Sequence, residues 1–257
     1  MKLFKKREIH YAYLHVGPIE ADGSIKDSPG STFFKLRKAR PDLILLAWLG
    51  CRLEKIDIDR QSWREGLLVT IDKLIDQGFS GVHLNIEPIP NRDEAYLALL
   101  DAIRSRFGIN IFLSQSTPRT GPFGVSVGPM KRYFWSEDYY KATMSKADQT
   151  VLMAYDTMLP SSKLYVGFVR HQTAQLLSWA AYFPGHQVLV GIPSYEDVPK
   201  FSDPSIENIK NASLGVRSAL EKRSTRPSFE GVAVYSNWVT DHDEWRQYDR
   251  YWLIISK

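Results

Sequence analysis

The segment Gly78-Phe-Ser-Gly-Val-His-Leu-Asn-Ile-Glu-Pro88 decides the fold prediction. Polar and apolar side chains alternate along it, and successive side chains of a β-strand point to opposite faces. The polar side chains that share a face are His83, Asn85 and Glu87. The apolar alternates, which suit packing against helices, are Val82, Leu84 and Ile86. Because buried polar groups are costly unless hydrogen-bonded, we expect the polar row to line a barrel, with Glu87 nearest its mouth. A hydrogen-bonded network that only packs the barrel is the alternative.

Seven runs of apolar, β-branched or aromatic residues recur along the chain at fairly even intervals. They span residues 9–16, 43–49, 82–86, 109–114, 150–155, 188–192 and 232–235. Continuous apolar runs are typical of parallel strands that are covered by helices on both faces. The runs therefore predict a parallel sheet.

Segments with helical periodicity separate several of these strands. The spacing Ser62-Trp-Arg-Glu65 predicts a capping box for a helix that ends at Gly78, and 91–94 predicts a weaker cap for a helix that ends at Gly108. Further helices are predicted at 172–183, 206–223 and 241–252, the last with an aromatic inner face. Repeated strand–helix–strand units are typical of a β/α barrel or a doubly wound sheet.

Two observations favour the barrel. No glycine-rich phosphate loop follows the first strand, which argues against a dinucleotide-binding sheet. Polar and aromatic residues instead cluster where strands end, and these are His15, Trp48, Glu87, Gln115, Tyr155, Asp156, Tyr195, Glu196, Asn237 and Trp238. Active sites of β/α barrels are built at that face. We therefore predict an α/β fold, a (β/α)8 TIM-type barrel forming a single domain over 1–257. Its first strand is missing or atypical within 1–7.

Composition excludes several classes of protein. Lys plus Arg is 33 and Asp plus Glu is 29, and this mild excess does not predict a nucleic-acid partner. The single cysteine, Cys51, excludes an intramolecular disulfide framework, and the six histidines lack metal-ligand spacing. No run reaches the ~18 apolar residues of a membrane span, so we expect no stable membrane insertion. We also expect no metal and no cofactor. No export signal is readable in the basic start, and localisation stays open.

The alternating segment resembles the fourth-strand motif of glycoside hydrolase family 18, Asp-Gly-x-Asp-x-Asp-x-Glu. Three further motifs are similar to strands of that family: Val151-Leu-Met-Ala-Tyr-Asp156, Val188-Leu-Val-Gly-Ile-Pro193 and Gly231-Val-Ala-Val-Tyr-Ser-Asn-Trp238. The four motifs occur in the family's order. The resemblance implies a chitinase-like or endo-β-N-acetylglucosaminidase-like barrel, with 9–16 as the family's second strand and an oligosaccharide or polysaccharide as substrate. Relatives in the family are often secreted or associated with the cell envelope.

The sequence departs from the family's acidic row at three positions. Ser80, His83 and Asn85 stand where the family has aspartate, and only Glu87 is retained. Family 18 enzymes use the substrate's N-acetyl oxygen as nucleophile, oriented by the carboxylate at the Asn85 position. The Asn-x-Glu pair also resembles glycoside hydrolase family 85, in which asparagine takes this orienting role. The side-chain amide of Asn85 can hydrogen-bond an acetamido group.

Glycosidic cleavage needs an acid for the leaving oxygen and a second group that stabilises the oxocarbenium-like centre. Glu87 is the predicted acid, and burial at an aromatic-lined mouth favours its protonated form. Asn85, Tyr155 and Asp156 are predicted to position the substrate, although Asp156 could instead cap the next segment. The predicted substrate-binding residues are His83, Trp48, Tyr13, Gln115, Tyr235 and Trp238. Core packing is the alternative for each single aromatic residue.

Two other functions stay open. Loss of the acidic row is compatible with a catalytically inactive, lectin-like sugar-binding barrel. A hydrolase or lyase acting on a different polysaccharide with Glu87 and Asp156 as a carboxylate pair is the third possibility. The Pro/Gly-rich loop 116–129 is predicted at the active face, where a substrate-binding loop is expected.

Overall fold

The computed structural model describes residues 2–26, 30–194, 203–221 and 227–253. The strands in this part of the chain are β1 (Tyr11–Pro18), β2 (Ile44–Arg52), β3 (Gly81–Glu87), β4 (Phe112–Thr117), β5 (Arg119–Thr120), β6 (Phe134–Trp135), β7 (Gln149–Met153), β8 (Gln187–Pro193) and β9 (Phe229–Tyr235). All seven predicted strands are present, with ends that differ by a few residues. The two additional strands, β5 and β6, are two residues long.

Helices separate the long strands. They are α1 (Lys2–Lys6), α2 (Ser31–Ala39), α3 (Gln61–Asp76), α4 (Glu94–Phe107), α5 (Glu137–Met144), α6 (Ser162–Ala180), α7 (Ile209–Glu221) and α8 (His242–Tyr248). Short 3-10 segments lie at Leu53–Lys55, Pro122–Gly124 and Gly128–Arg132, and a π turn at Asp249–Leu253 continues the last helix. Trp245 and Tyr248 pack edge to face in that helix, as its predicted aromatic face requires.

The chain divides into two compact units, and the first comprises Met1–Ser116 and Ser126–Gln149. In it β1, β2, β3 and β4 are parallel neighbours in that order. The register pairs His15 with Trp48, Trp48 with His83, and His83 with Ser114. Directly paired residues of a parallel sheet share a face, so these four side chains lie on one face of the strands.

The opposite face of the same strands is apolar and lies under helices. Its side chains are almost completely buried, and they include Leu45, Ala47, Leu49, Val82, Leu84, Ile86 and Leu113. Helix α3 contributes Trp63, Leu67 and Ile71 to this core, all with no exposed area. The apolar residues of β3 thus lie on the face opposite His83, which agrees with the division predicted from the alternation in this strand.

The second unit comprises Thr117–Val125 and Thr150–Lys257. Its strands β7, β8 and β9 are neighbours in that order, and β8 pairs with β9 in parallel. Helices α6 and α7 pack closely against one another in this unit. A Cβ added at Gly215 of α7 would lie 2.7 Å from the Cβ of Val169 in α6, so only glycine fits at this crossing.

Parallel strands that alternate with helices make this an α/β fold of the (β/α)8 TIM type. Seven long parallel strands are present among the described residues. Lys2–Lys6 is helical, so residues 2–6 do not supply the missing first strand. The single-domain organisation over 1–257 stays a prediction.

Two predicted helix starts are wrong. Helix α3 begins at Gln61 after an N-cap, Arg60, that makes no side-chain capping bond, so Ser62 is inside the helix and not its cap. Helix α6 begins at Ser162, ten residues before the predicted start, because Ser161 caps it by accepting from the Leu164 N–H. The N-cap of α4 falls within the predicted capping segment 91–94. It is Asp93, whose side chain accepts from the Tyr96 N–H at 2.8 Å.

Candidate active site

The polar face of β3 carries His83, Asn85 and Glu87 on alternate residues. His83 is 5% exposed, whereas Asn85 and Glu87 are half-buried. Glu87 is the last residue of the strand, and a cis peptide bond joins it to Pro88. Polarity and exposure therefore increase together towards the carboxyl end of the strand, where active sites of this fold class are built.

Both ring nitrogens of His83 are hydrogen-bonded. Nδ1 lies 2.8 Å from the Ser114 hydroxyl, and Nε2 lies 2.8 Å from the Ser116 hydroxyl. The Ser114 hydroxyl donates its own hydrogen to Oε1 of Gln149 at 2.8 Å. Ser114 can therefore only accept from His83, so the imidazole proton is on Nδ1 and Nε2 accepts from Ser116. Burial lowers the pKa of His83 to about 3, and the ring is neutral at ordinary pH.

Tyr13 supports the imidazole from the neighbouring part of the sheet. Its ring centroid lies 4.6 Å from that of His83, and its hydroxyl donates to Oε1 of Gln149 at 2.6 Å. Burial raises the pKa of the Tyr13 hydroxyl, so this phenol is neutral. Tyr13, Gln149, Ser114, His83 and Ser116 thus form one uncharged hydrogen-bonded network, which we call the His83 network. A sugar-stacking role for Tyr13 stays a prediction.

Trp48 lies on the same face as His83, one strand away. The register pairs the two residues directly, and the Trp48 indole meets the His15 ring edge to face at 5.4 Å. The next two residues of β2 on this face are Gly50, paired with Asn85, and Arg52, paired with Glu87. The Trp48 indole lies next to Gly50, because its Nε1 would be 3.5 Å from a Cβ at that position, an ordinary van der Waals distance. Trp48 is thus placed beside the polar row, and its contact with a substrate stays a prediction.

Gln115 lies on the other face of the sheet. Its side chain is fully buried and accepts a hydrogen bond from the Tyr96 hydroxyl of α4 at 3.0 Å. In register it pairs with Leu84, one of the helix-facing residues of β3. This placement is contrary to the predicted substrate contact, and we leave Gln115 out of the site. The residues that the sequence analysis missed are its neighbours, Ser114 and Ser116, whose alternation within β4 was the available signal.

In the second unit, three aromatic side chains form a contiguous group near the carboxyl ends of β7 and β9. The rings of Tyr155 and Tyr235 are stacked at 5.4 Å with an interplanar angle of 5°, and Tyr235 meets Trp238 edge to face at 6.1 Å. Gly191 of β8 accommodates Tyr155, because a Cβ there would lie 3.1 Å from its ring. Trp238 is 65% exposed, so this indole offers an open apolar surface.

Asp156 follows Tyr155 and is exposed. Its backbone has a φ of 56°, and its carbonyl oxygen accepts from the Arg119 guanidinium at 3.0 Å. The helix that follows is capped by Ser161, and the Thr157 N–H donates to Glu207 at 2.8 Å. The N-cap of α6 is therefore Ser161 and not Asp156.

The loop 116–129 is held at both ends by buried polar side chains. In the second unit, the Thr120 N–H donates to Gln172 Oε1 at 2.6 Å and Gln172 Nε2 returns a bond to the Thr120 carbonyl at 3.1 Å. In the first unit, Asn91 Nδ2 donates to the Ser126 carbonyl at 3.2 Å. Phe123 at its tip is 95% exposed. A substrate-binding role for this loop stays a prediction.

Tyr195 and Glu196, predicted at the end of a strand, lie outside the described residues. Within 2–26, 30–194, 203–221 and 227–253, no three His, Cys, Asp or Glu side chains are placed to hold a metal ion together. None of the helices in those ranges has the length and apolar character that a membrane crossing demands.

The His83 network predicts how stability depends on pH. Between its folded pKa of about 3 and its ordinary value of 6.5, His83 binds a proton only in the unfolded chain. The free energy of unfolding therefore decreases as pH falls through this window, by at most about 1.4 kcal/mol per pH unit from this group. Replacing His83 with glutamine removes that contribution.

Denaturant unfolding at pH 7 and at pH 4.5 measures how far the free energy of unfolding decreases between the two pH values. The drop in unfolding free energy is expected to be smaller in His83→Gln than in the wild type. His171→Gln is the matched control, since His171 is exposed on α6, and it should keep the wild-type drop. Equal drops in all three proteins would show that His83 is not a buried neutral group.

Comparisons with known proteins identify the fold. No protein-family model matches the chain, and no curated protein matches it by sequence. A chitinase from Chromobacterium violaceum ATCC 12472 is similar in structure with a TM-score of 0.68 and 13% identity, over 97% of this chain and 93% of that one. A Family GH18 chitinase from Chromobacterium violaceum is similar with a TM-score of 0.57 and 14% identity, over 90% of this chain and 69% of that one.

A Bacillus subtilis structure described as a sporulation-specific glycosylase gives a TM-score of 0.53 at 15% identity. The match covers 70% of this chain, and the chain spans 61% of the length of that structure. At such identities the likeness establishes a shared fold. The chain has the fold of family 18 chitinases and chitinase-like proteins, as the four motifs predict.

Proposed function

We propose that the chain is a glycoside hydrolase that uses Glu87 as general acid/base on a β-linked glycan containing N-acetylhexosamine. The observation that carries the proposal is the position of Glu87: a half-buried carboxyl at the carboxyl end of β3, on the polar face. The chitinase-like fold supports a carbohydrate substrate. Glu87 protonates the leaving glycosidic oxygen and, once the leaving sugar has gone, deprotonates the attacking water.

Asn85 takes the role of orienting the substrate's N-acetyl group. Its side chain makes no hydrogen bond with any residue in the described part of the chain and is half-buried on the same face as Glu87. A neutral amide can donate to or accept from the acetamido group, whose oxygen then attacks the anomeric carbon. His83 cannot replace the family's second acidic residue, because its ring is neutral and both nitrogens are used within the network. The acetamido oxygen bonds to the anomeric carbon as the bond to the leaving oxygen breaks, and the positive charge of the oxazolinium ring that forms is spread over its O–C–N group without being neutralised by His83.

The remaining residues have roles that follow from the motifs. Tyr155 and Asp156 position the reacting sugar, and Asp156 supplies the second carboxylate if the N-acetyl group does not participate. The aromatic residues that contact sugar rings are Trp48, Tyr13, Tyr235 and Trp238. The open indole of Trp238 supports this assignment, since sugar C–H faces stack on exposed aromatic surfaces.

A catalytically inactive sugar-binding barrel is the second candidate. The neutral His83 network favours it, because the acidic row of the related hydrolases is replaced here by groups that carry no charge. Sugar binding through the aromatic surfaces needs none of those charges.

A panel of β-linked glycans, N-acetylated and not, distinguishes the hydrolase from the inactive sugar-binding barrel. Hydrolysis and binding of each glycan by the wild-type protein are measured. Cleavage confined to acetylated glycans is the expected result. Cleavage of unacetylated glycans would transfer the second role to Asp156, and binding without turnover would support the sugar-binding barrel. Absence of both would refute both functions.

A further inference from the structure

The segment that follows β7 has an unusual backbone. Asp156 and Met158 both have positive φ, 56° and 55°, with Thr157 between them. Residues other than glycine rarely adopt this conformation, because their Cβ then crowds the backbone. Such a conformation persists where surrounding interactions hold it. The segment carries Tyr155 and Asp156, so whatever holds it also places those two side chains.

Glu207, which precedes α7, makes the holding contact. It is 2% exposed, and its Oε1 accepts from both the Thr157 N–H at 2.8 Å and the Thr157 hydroxyl at 2.6 Å. The Thr157 hydroxyl also accepts from the Leu159 N–H at 3.3 Å. One carboxylate oxygen of Glu207 thus holds Thr157, the residue between the two positive-φ positions. Because Asp156 and Met158 adjoin Thr157, their conformation is restrained as well.

The surroundings of Glu207 are unfavourable for a carboxyl group. Its second oxygen, Oε2, is enclosed and makes no hydrogen bond with the residues that the structure describes. Burial raises the pKa of Glu207, and the charge of Asp156 adds to this, whereas the hydrogen bonds from Thr157 and from the Asp156 backbone N–H lower it. The Tyr165 hydroxyl also lies within the influence of this carboxyl, but it donates to the Ala154 carbonyl at 2.9 Å. A buried carboxyl with one unsatisfied oxygen is costly, which is typical of functional sites.

We propose that Glu207 is a positioning residue, which holds the Tyr155–Asp156 segment in the conformation used to bind and cleave the glycan. This inference rests on the proposed function. Glu207 does not touch the substrate; it acts through Thr157. A displacement of about 1 Å at positioning residues can lower a rate by about 100-fold, so the contact has a measurable consequence.

The test compares three variants with the wild type on the cleaved glycan. Glu207→Ala removes the acceptor, and kcat is expected to fall by about 10- to 100-fold. Glu207→Gln retains an oxygen for Thr157 and is expected to keep kcat within about threefold, because its carbonyl can still accept both bonds. Asp203→Ala is the control from the same turn, since the Asp203 side chain binds only Ser205 among the described residues, and it should keep wild-type kcat.

Two further readouts separate positioning from general destabilisation. Rates are measured well below the melting temperature of each variant, and amide hydrogen exchange is followed at residues 156–159. Faster exchange there in Glu207→Ala, with rescue of both exchange and kcat in Glu207→Gln, supports the proposal. If Glu207→Ala does not fold, Thr157→Val takes its place, because it removes one of the two donors, and a several-fold fall in kcat is expected.

Unchanged kcat in Glu207→Ala, or a loss in Glu207→Gln as large as in Glu207→Ala, would overturn the proposal. If the wild type binds glycans without cleaving them, the proposed hydrolysis fails but Glu207 is still tested. A tenfold weaker Kd in Glu207→Ala would then support positioning, and an unchanged Kd would refute it. If the wild type neither cleaves nor binds glycans, the positioning role falls with the proposed function.

Discussion

A Glu87→Gln variant is expected to cleave a natural β-linked glycan with a kcat lower by about 10²- to 10⁴-fold, the contribution typical of a general acid/base. Glutamine keeps the shape of the side chain but has no proton of suitable acidity for the leaving oxygen. Substrate affinity should change little, because Glu87 lies at the end of β3 and the aromatic surfaces are untouched. Steady-state kinetics on an N-acetylated oligosaccharide measure both quantities.

The leaving group provides a sharper version of this test. An aryl glycoside whose phenolate leaves without protonation does not need the acid for its first step. The loss caused by Glu87→Gln should therefore be much smaller on a dinitrophenyl glycoside than on the natural glycan. An equal loss on both substrates would contradict the acid role and point to a structural effect. Glu65→Gln is the matched control, because Glu65 is exposed on α3, and it should leave both rates unchanged.

The second large effect is expected at Asn85. An Asn85→Ala variant should lose about 10²- to 10³-fold in kcat on acetylated glycans, the usual cost of removing one group that stabilises the transition state. Asn85→Asp should retain much more activity, since a carboxylate can accept from the acetamido N–H and balance the charge of the reacting ring. Comparing kcat of the two variants on one acetylated substrate gives the result.

Asn110→Ala is the matched control for this series, since Asn110 is exposed between α4 and β4. Its kcat should equal that of the wild type. If Asn85→Ala retains wild-type kcat while Asp156→Asn loses activity, the acetamido mechanism is wrong and the second role belongs to Asp156. The two positions thus decide between substrate assistance and a protein carboxylate.

Local sequence patterns were sufficient for the strands. The alternation at 82–87 and the continuous apolar runs depend only on neighbouring residues, and both were confirmed. Helix starts were less predictable. The start of α6 was missed because Val166 and Gly167 lower local helix propensity, whereas burial of Tyr165 and Val169 overrides that weakness.

The candidate site was partly predictable for the same reason. Alternation alone placed His83, Asn85 and Glu87 on one face. It could not place Gln115, because the side on which a strand residue lies depends on the register with its neighbour, and Gln115 pairs with a helix-facing leucine. The polar residues that fall on the correct face of β4 are Ser114 and Ser116.

The sequence by itself determined the alternation of strands and helices, the polar face of β3 and the position of Glu87 at its end, because these follow from periodicity within a few residues. The tertiary structure alone decided what those groups can do. The neutrality of His83 arises from burial and from hydroxyls 31 and 33 residues away, and the conformation around Asp156 depends on Glu207, 50 residues from Thr157. Charge state and backbone conformation at a site depend on groups brought together by folding, and no local pattern records them.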